Sequence, residues 1–210
     1  MHRITIVWLL LCACVGSQGG RPSAAADRAA ARPQDAGLRH ELLRRVEADQ
    51  AVRLDFMRKQ QRGEPPDSLD LDHFLAVDTS NTAWLEGVVA ARGWPGRSLV
   101  GADGANAAFL LVQHADRDTA FQARVLPLLE REYATGEAEG QQVALLTDRL
   151  AGARGQPQVY GTQADISDGR VVLKHIRDSA GVDVRRARMG LPPLAKYVRL
   201  LDSLYTRRRP

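Results

Sequence analysis

The spacing of apolar residues along the chain predicts a series of amphipathic helices. The first spans residues 38–62, and one of its faces is apolar at both ends and polar in the middle. Residues on this face recur at steps of four and three: Leu42, Val46, Asp49, Arg53 and Phe56. Asp49 and Arg53 therefore point toward the expected core, and their spacing of four residues allows them to form an ion pair.

The same pattern returns in a second predicted helix, over residues 69–92. Its apolar stripe is again polar in the middle, with the order Phe74, Asp78, Asn81, Leu85 and Val88. Gly93 and Pro95 are expected to end this helix and to frame Trp94.

Further helices are predicted along the rest of the chain. A small-residue helix over 102–112 ends at Gln113, His114 and Asp116. Asp118 suits the N-cap of the next helix, which Pro127 is expected to kink or shorten. A fifth helix, over 139–155, carries Asp148 and Arg149, and two short helices close the chain, one over 180–189 and one from 194.

Between the fifth and sixth helices the period of the pattern changes to two. "QVYGTQADI" and "RVVLKHI" flank the turn signal Asp168–Gly169 and predict a β-hairpin near residues 158–176. In such a strand Tyr160 and Thr162 would face one way and Gln163 the other. The predicted fold is mainly α: a single-domain bundle of about six to seven helices with one small hairpin.

The N-terminus has the pattern of an export signal. Arg3 precedes a short apolar run over 4–13 that cannot span a bilayer as a permanent helix. "LCAC" resembles a bacterial lipobox with Cys14 as the lipidated residue, although Cys12 stands where alanine or serine is usual. Cleavage by an ordinary signal peptidase slightly downstream is the alternative. The predicted segments are a lipoprotein signal peptide (1–13), a flexible tether (14–37), a helical domain (38–206) and a basic tail (207–210).

Composition narrows the function classes. The chain of 210 residues carries a net charge of +4, with 44% hydrophobic and 26% charged residues, as globular domains do. The tail at 207–209 either is solvated or is attracted to an anionic surface. An exported chain with 5% aromatic residues does not suggest a nucleic-acid partner. Five scattered histidines predict no metal site, and no nucleotide or cofactor fingerprint occurs.

Polar residues on apolar faces are the candidates for chemistry, because burying a charge is costly unless it is paired. Three interpretations stay open: a structural network that fixes helix register, a ligand cleft, or a hydrolase. His114 could act as a general base oriented by a carboxylate, and Asp148 could join it in acid–base work. The predicted ligand-binding residues are Asp49, Arg53, Asp78, Asn81, Trp94, Gln113, Arg149, Tyr160 and Gln163.

The order of several short motifs resembles an uncharacterised bacterial family catalogued as domain of unknown function 6624. The motifs are "ADQ" (48–50), "GWPGRSLVG" (93–101), "VQHAD" (112–116), "GQPQVYGTQ" (155–163) and "VDVRRARMGLPPL" (182–194). The resemblance covers about residues 38–204 and implies a one-domain bacterial protein, sometimes secreted, without a known activity.

Two function hypotheses follow. The first is a lipid-anchored envelope domain that binds a polar ligand such as a glycan or peptide, with Trp94 and Tyr160 stacking and amide side chains hydrogen bonding. The second is a hydrolase that uses His114 or a pair of aspartates. The expected partners are the membrane, through the lipid anchor, and an unidentified polar ligand or protein.

Overall fold

The structure is a computed structural model that describes residues 33–64, 66–167 and 170–205. The predicted signal peptide, Cys14, most of the predicted tether and the basic tail lie outside the described residues. The described residues form seven α-helices and one two-stranded antiparallel sheet. A mainly α, single-domain fold with one small hairpin is therefore confirmed. Within it, the chain forms two compact units, whose described parts are residues 33–138 and 139–205.

Four helices build the N-terminal unit, and side-chain caps explain where three of them begin. Asp118 accepts a hydrogen bond from the backbone N–H of Phe121, as the sequence predicts. Asp67 and Asp70 cap the second helix reciprocally, and Asp35 caps the first by accepting from Leu38. The helices are α1 (Ala36–Gln61), α2 (Ser68–Arg92), α3 (Arg97–Gln113) and α4 (Thr119–Thr135).

Helix α3 begins five residues earlier than the sequence predicts, because a glycine bends the chain inside it. Gly101 has φ +77°, a left-handed value that a residue with a side chain rarely adopts. The sequence pattern captures only the regular part after this bend. Small buried residues then follow, including Ala105 and Ala108, and α3 packs against α1, α2 and α4.

Helix α4 differs from the prediction at Pro127. The helix continues through the proline to Thr135 rather than stopping near it. Phe121, Val125 and Leu129 are fully or almost fully buried at spacings of four residues on both sides of the proline. We attribute the continuity to this packing, which outweighs the single backbone hydrogen bond that proline cannot make.

The C-terminal unit combines helices with the hairpin. Its elements are α5 (Gly140–Ala153), β1 (Ala164–Ser167), β2 (Arg170–Leu173), a 3-10 turn (Ser179–Gly181), α6 (Val182–Arg188) and α7 (Leu194–Tyr205). A Cβ atom added at Gly140 would lie 2.6 Å from the carbonyl oxygen of Met189, so α5 can begin here only with a glycine.

The hairpin is shorter than predicted. β1 and β2 pair from Ala164↔Leu173 to Ser167↔Arg170, and the turn at 168–169 lies outside the described residues. Residues 159–163, which the sequence pattern assigns to a strand, belong to no strand; that prediction is wrong. Gln158 forms only an isolated parallel bridge with Ile176.

The last helix covers one face of this hairpin. Ala164, Tyr197 and Leu201 form a small buried core, and Val171, Leu173 and Leu194 pack against it. Among the described residues, no helix combines the length and apolar character needed to cross a membrane.

Candidate functional site

Four charged or titratable side chains meet inside the N-terminal unit. We name them the acid–base cluster: Asp49 and Arg53 from α1, Asp78 from α2, and His114 directly after α3. Arg53 Nη2 lies 2.9 Å from Asp49 Oδ1 and 2.5 Å from Asp78 Oδ1. Asp49, Arg53 and His114 are each at most 6% exposed. The predicted ion pair between Asp49 and Arg53 is thus present, and Arg53 also pairs with Asp78 from α2.

His114 is oriented by a carboxylate from another helix, as the second function hypothesis requires. Its Nδ1 lies 2.7 Å from Asp49 Oδ2 and 2.9 Å from Arg53 Nε. The imidazole can donate from Nδ1 to the carboxylate or accept there from the guanidinium, but not both. An unprotonated Nδ1 at 2.7 Å from an ionised carboxylate would bring two lone pairs together, so the proton belongs on Nδ1. Nε2 is then the nitrogen that can accept a proton.

Burial favours the neutral form of both carboxyl groups, but the opposing interactions outweigh it only at Asp49. Burial favours the neutral form of Asp49, but the hydrogen bond from His114 and the charges of His114 and Arg53 outweigh it and hold the pKa of Asp49 below its ordinary value. Burial raises the pKa of Asp78 to about 7; Arg53 opposes this rise, and the charges of Asp49 and Asp116 add to it. One carboxyl therefore stays ionised while the other can exchange a proton near neutral pH.

Two further contacts hold the cluster in place. The guanidinium of Arg53 lies over the Phe74 ring, 4.6 Å from its centroid. The Gln50 amide nitrogen donates to Asp49 Oδ2 at 2.8 Å. Gln50 is not among the predicted site residues, although it lies beside Asp49 in the motif "ADQ". Helix periodicity alone cannot select it, because adjacent residues point in different directions.

The remaining predicted residues of this unit are buried. Asn81 Oδ1 accepts from Arg45 Nη1 at 3.1 Å, and Gln113 is 4% exposed. Trp94 is 6% exposed, so its ring has little free surface for stacking on a ligand. Among the described residues, neither the Asn81 amide nitrogen nor the Trp94 indole nitrogen has a hydrogen-bond partner.

Asp148 organises a second cluster, inside the C-terminal unit. Its carboxylate is completely buried and accepts hydrogen bonds from the backbone N–H groups of Val159, Tyr160 and Thr162 at 2.7–3.0 Å. The Thr162 hydroxyl donates to the same carboxylate at 2.9 Å. These bonds explain why residues 159–163 do not form a strand: their N–H groups turn inward around one anion instead of alternating in a ladder.

Side chains also satisfy the carbonyl groups of this loop. Arg185 Nε donates to the Val159 carbonyl at 2.8 Å, and Arg186 Nη1 donates to the Tyr160 carbonyl at 2.7 Å. The Tyr197 hydroxyl donates to the Thr162 carbonyl at 2.9 Å. Burial lowers the pKa of Arg186, whose guanidinium also lies 4.9 Å from the centroid of the Tyr197 ring.

The Gln158 side chain closes the loop at its other end. Its amide nitrogen donates to the carbonyl groups of Gln163 and Lys174, each at 2.9 Å, and its oxygen accepts from the Gln163 N–H at 2.6 Å. We name residues 158–163 the Asp148 loop. Gln158 and Arg186 are almost fully buried, yet neither is among the predicted site residues. In the sequence, only the motifs that contain them, "GQPQVYGTQ" and "VDVRR", indicate these positions.

The predicted site residues therefore lie in both units. The N-terminal unit brings together Asp49, Arg53, Asp78 and His114. The C-terminal unit joins Asp148 to the backbone of Tyr160, while Gln163 donates its side-chain amide to Thr162 at 3.1 Å and Arg149 is half-buried on α5. The contacts of Asp148 are those of a loop anchor, because both its oxygens already accept from the loop.

The described residues contain no group of three or more histidine, cysteine, aspartate or glutamate side chains arranged to hold a metal ion.

Comparison with known proteins identifies a family but not an activity. No curated protein and no solved structure matched the chain. A family model described as "Family of unknown function (DUF6624)" matches residues 36–209, which include both clusters and all seven helices. The chain therefore belongs to this family, DUF6624.

Proposed function

We propose that the acid–base cluster is the active site of a hydrolase that acts on a polar substrate. The observation that carries this proposal is the 2.7 Å contact between Asp49 Oδ2 and His114 Nδ1. A buried carboxylate in this position fixes the imidazole tautomer and stabilises the imidazolium that forms when Nε2 accepts a proton. His114 is then the general base that activates water, and Asp49 is the residue that positions it.

Asp78 supplies the complementary group. Its pKa of about 7 leaves a substantial fraction of the carboxyl protonated at neutral pH, so it can donate a proton to a leaving group. Arg53 bridges Asp49 and Asp78 and keeps positive charge beside the place where negative charge would develop on the substrate.

Binding of a polar ligand without chemistry is the second candidate. It is supported by two buried donors in the N-terminal unit, the Asn81 amide nitrogen and the Trp94 indole nitrogen, which lack partners among the described residues. Such groups suit a ligand rich in hydrogen-bond acceptors. The low exposure of Trp94 weighs against the expected stacking of a ring on its face. A purely structural network is the third interpretation, and it differs from the other two in its effect on stability.

The test combines activity screening with a comparison of histidine variants. The purified full chain would be assayed against chromogenic esters, phosphate esters, glycosides and peptide amides between pH 5 and 9. We expect hydrolysis of one class, and a loss of at least about 100-fold in kcat for His114→Ala, the lower end of typical general acid–base contributions. His40→Ala is the matched control, because His40 is exposed on α1.

Stability measurements separate the interpretations. If His114 serves catalysis, His114→Gln should retain most of the melting temperature while activity disappears. If the cluster is structural, both His114→Ala and His114→Gln should lower the melting temperature without any activity to lose. Activity that survives in His114→Ala would refute the assigned role of His114.

We also propose that the protein is exported and held at the bacterial envelope by a lipid on Cys14. The support is entirely from sequence: the positive start, the apolar run over 4–13, and "LCAC" at its end. Residues 15–32 lack large apolar side chains other than Val15, a composition typical of a linker between an anchor and a folded domain.

A further inference from the structure

The last helix of the C-terminal unit exposes leucines on its outer side. Its inner side packs Leu194, Tyr197 and Leu201 against the hairpin. Leu200 and Leu204 are 38% and 54% exposed. Together with Lys196 they recur at steps of four residues and so form one stripe along the helix. Arg199 is also exposed on this helix.

A third apolar residue borders the same small core. Ile166 is 41% exposed and is the cross-strand partner of Val171. Because directly paired residues share a sheet face, Ile166 lies on the face that α7 covers. The exposed apolar side chains therefore come from both the hairpin and the helix.

Charge is unevenly divided along the chain. Residues 139–210 contain thirteen arginines and lysines against seven aspartates and glutamates, whereas residues 1–138 contain sixteen against eighteen. Three of these thirteen basic residues, at 207–209, come shortly after the end of α7 in the sequence. Positive charge is thus concentrated in the part of the chain that also carries the exposed leucines of α7.

We propose that the outer side of α7, formed by Lys196, Arg199, Leu200 and Leu204, docks on an anionic lipid bilayer. The leucines enter the interface between headgroups and acyl chains, while the basic side chains remain among the anionic headgroups. This docking is independent of the proposed hydrolysis, and it needs no lipid on Cys14.

The combination of apolar and basic side chains favours a lipid surface over a soluble anionic polymer. Phosphate-rich or acidic polymers would satisfy the basic side chains but would leave the leucines in water. A bilayer interface takes both, because apolar area is buried in the same event that brings positive charge to the headgroups.

Vesicle binding of the full chain tests the proposal. The parent chain would carry Cys12→Ala and Cys14→Ala, so that no lipid is attached. Binding would be measured by co-sedimentation with vesicles of phosphatidylcholine alone and of equimolar phosphatidylcholine and phosphatidylglycerol. We expect tighter binding to the anionic vesicles, and a loss of about tenfold or more in partition coefficient for Lys196→Gln/Arg199→Gln and for Leu200→Ser/Leu204→Ser.

A double variant on another helix controls for the loss of exposed leucines elsewhere in the chain. Leu69→Ser/Leu71→Ser removes two exposed leucines from α2 and should bind like the parent, while the apolar run over 4–13 contributes equally to every variant. Melting temperatures equal to that of the parent would show that the variants are folded.

A fluorescent label reports insertion directly. An environment-sensitive fluorophore on Leu204→Cys should shift to shorter wavelength with anionic vesicles, and the same label on Leu69→Cys should not. Equal binding of the α7 variants and the parent would overturn the proposal. A second result would also overturn it: soluble polyphosphate displaces the protein from vesicles, and Leu200→Ser/Leu204→Ser binds like the parent. That result would indicate that the surface binds an anionic polymer instead.

Discussion

Asp78 differs from the other members of the acid–base cluster in the direction of its pKa shift. Burial and the charges of Asp49 and Asp116 favour its neutral form, and Arg53 only partly compensates. Because the folded-state pKa lies above the ordinary value, folding favours the protonated carboxyl. The resulting stability is fully present below about pH 4 and is lost as the pH rises through about 7.

Replacement of Asp78 by asparagine should remove this loss. Asp78→Asn keeps the size of the side chain and stays neutral, so its melting temperature should fall less than that of the wild type between pH 5 and pH 8. We expect the variant to be more stable at pH 8 by about 1 kcal/mol, or about 2–4 °C for a chain of this size. Circular dichroism melts at both pH values measure the effect.

Asp72→Asn provides the control, because Asp72 is exposed six residues earlier on α2. It should follow the wild-type pH dependence. If Asp78→Asn instead melts below the wild type at pH 8, the ion pair with Arg53 is the dominant effect, and Asp78 would be a structural partner rather than a proton donor.

The two polar stripes show what sequence can and cannot predict at this scale. Periodicity placed Asp49, Arg53, Asp78 and Asn81 on buried faces, because the 3.6-residue repeat is local information. The contact of His114 with Asp49 spans 65 residues. It depends on how α3 packs against α1, and no local pattern records that packing.

At the scale of elements, the Asp148 loop shows a carboxylate acting in place of a strand partner. One buried anion accepts from three backbone N–H groups and a hydroxyl, while two arginines and a tyrosine satisfy the carbonyl groups. The alternating pattern of "QVYGTQADI" predicts a strand throughout, but only its last three residues belong to β1. In residues 159–163 the partners that override this pattern come from α5, α6 and α7. The cap of α4 was predictable, in contrast, because Asp118 and its partner Phe121 are only three residues apart.

Removal of the Asp148 carboxylate should release the loop. Asp148→Ala leaves three backbone donors without their acceptor, and we expect a loss of about 3–5 kcal/mol in the free energy of unfolding. Hydrogen exchange of the Val159, Tyr160 and Thr162 amides should become fast, which mass spectrometry or NMR can follow. Asp148→Asn, which keeps one acceptor oxygen, should lie between the wild type and Asp148→Ala.

The matched control is Asp165→Asn on β1. Asp165 is half-exposed and pairs with Lys174 at 3.6 Å, so its replacement should cost less than about 1 kcal/mol. Unchanged protection of the loop amides in Asp148→Ala would contradict the anchoring role and return Asp148 to the candidates for catalysis.

At the scale of the whole molecule, the family model unites the two compact units, since it matches residues 36–209 as one region. The N-terminal unit holds the acid–base cluster, and the C-terminal unit holds the Asp148 loop and the basic, leucine-bearing helix. Composition predicted a globular, basic chain. It could not predict which unit carries the acid–base cluster and which carries the basic helix, because the units are defined by which helices pack together.

The proposed lipid anchor concerns the molecule as a whole, and it is best tested by its chemistry. An alkyne-bearing fatty acid supplied to a bacterial host should label the wild type and Cys12→Ala, but not Cys14→Ala. Cys12 is the matched control because the large Leu11 precedes it, whereas the small Ala13 precedes Cys14.

Membrane fractionation alone would not decide between anchoring routes. An uncleaved precursor of Cys14→Ala would remain at the membrane through residues 4–13, and the outer side of α7 would add attraction that salt weakens. Cys14→Ala should therefore migrate as a longer, unlabelled chain, while the wild type is shorter, labelled and resistant to a high-salt wash. Equal labelling of Cys14→Ala and wild type would exclude Cys14 as the attachment site, and absence of label on both would favour cleavage by an ordinary signal peptidase.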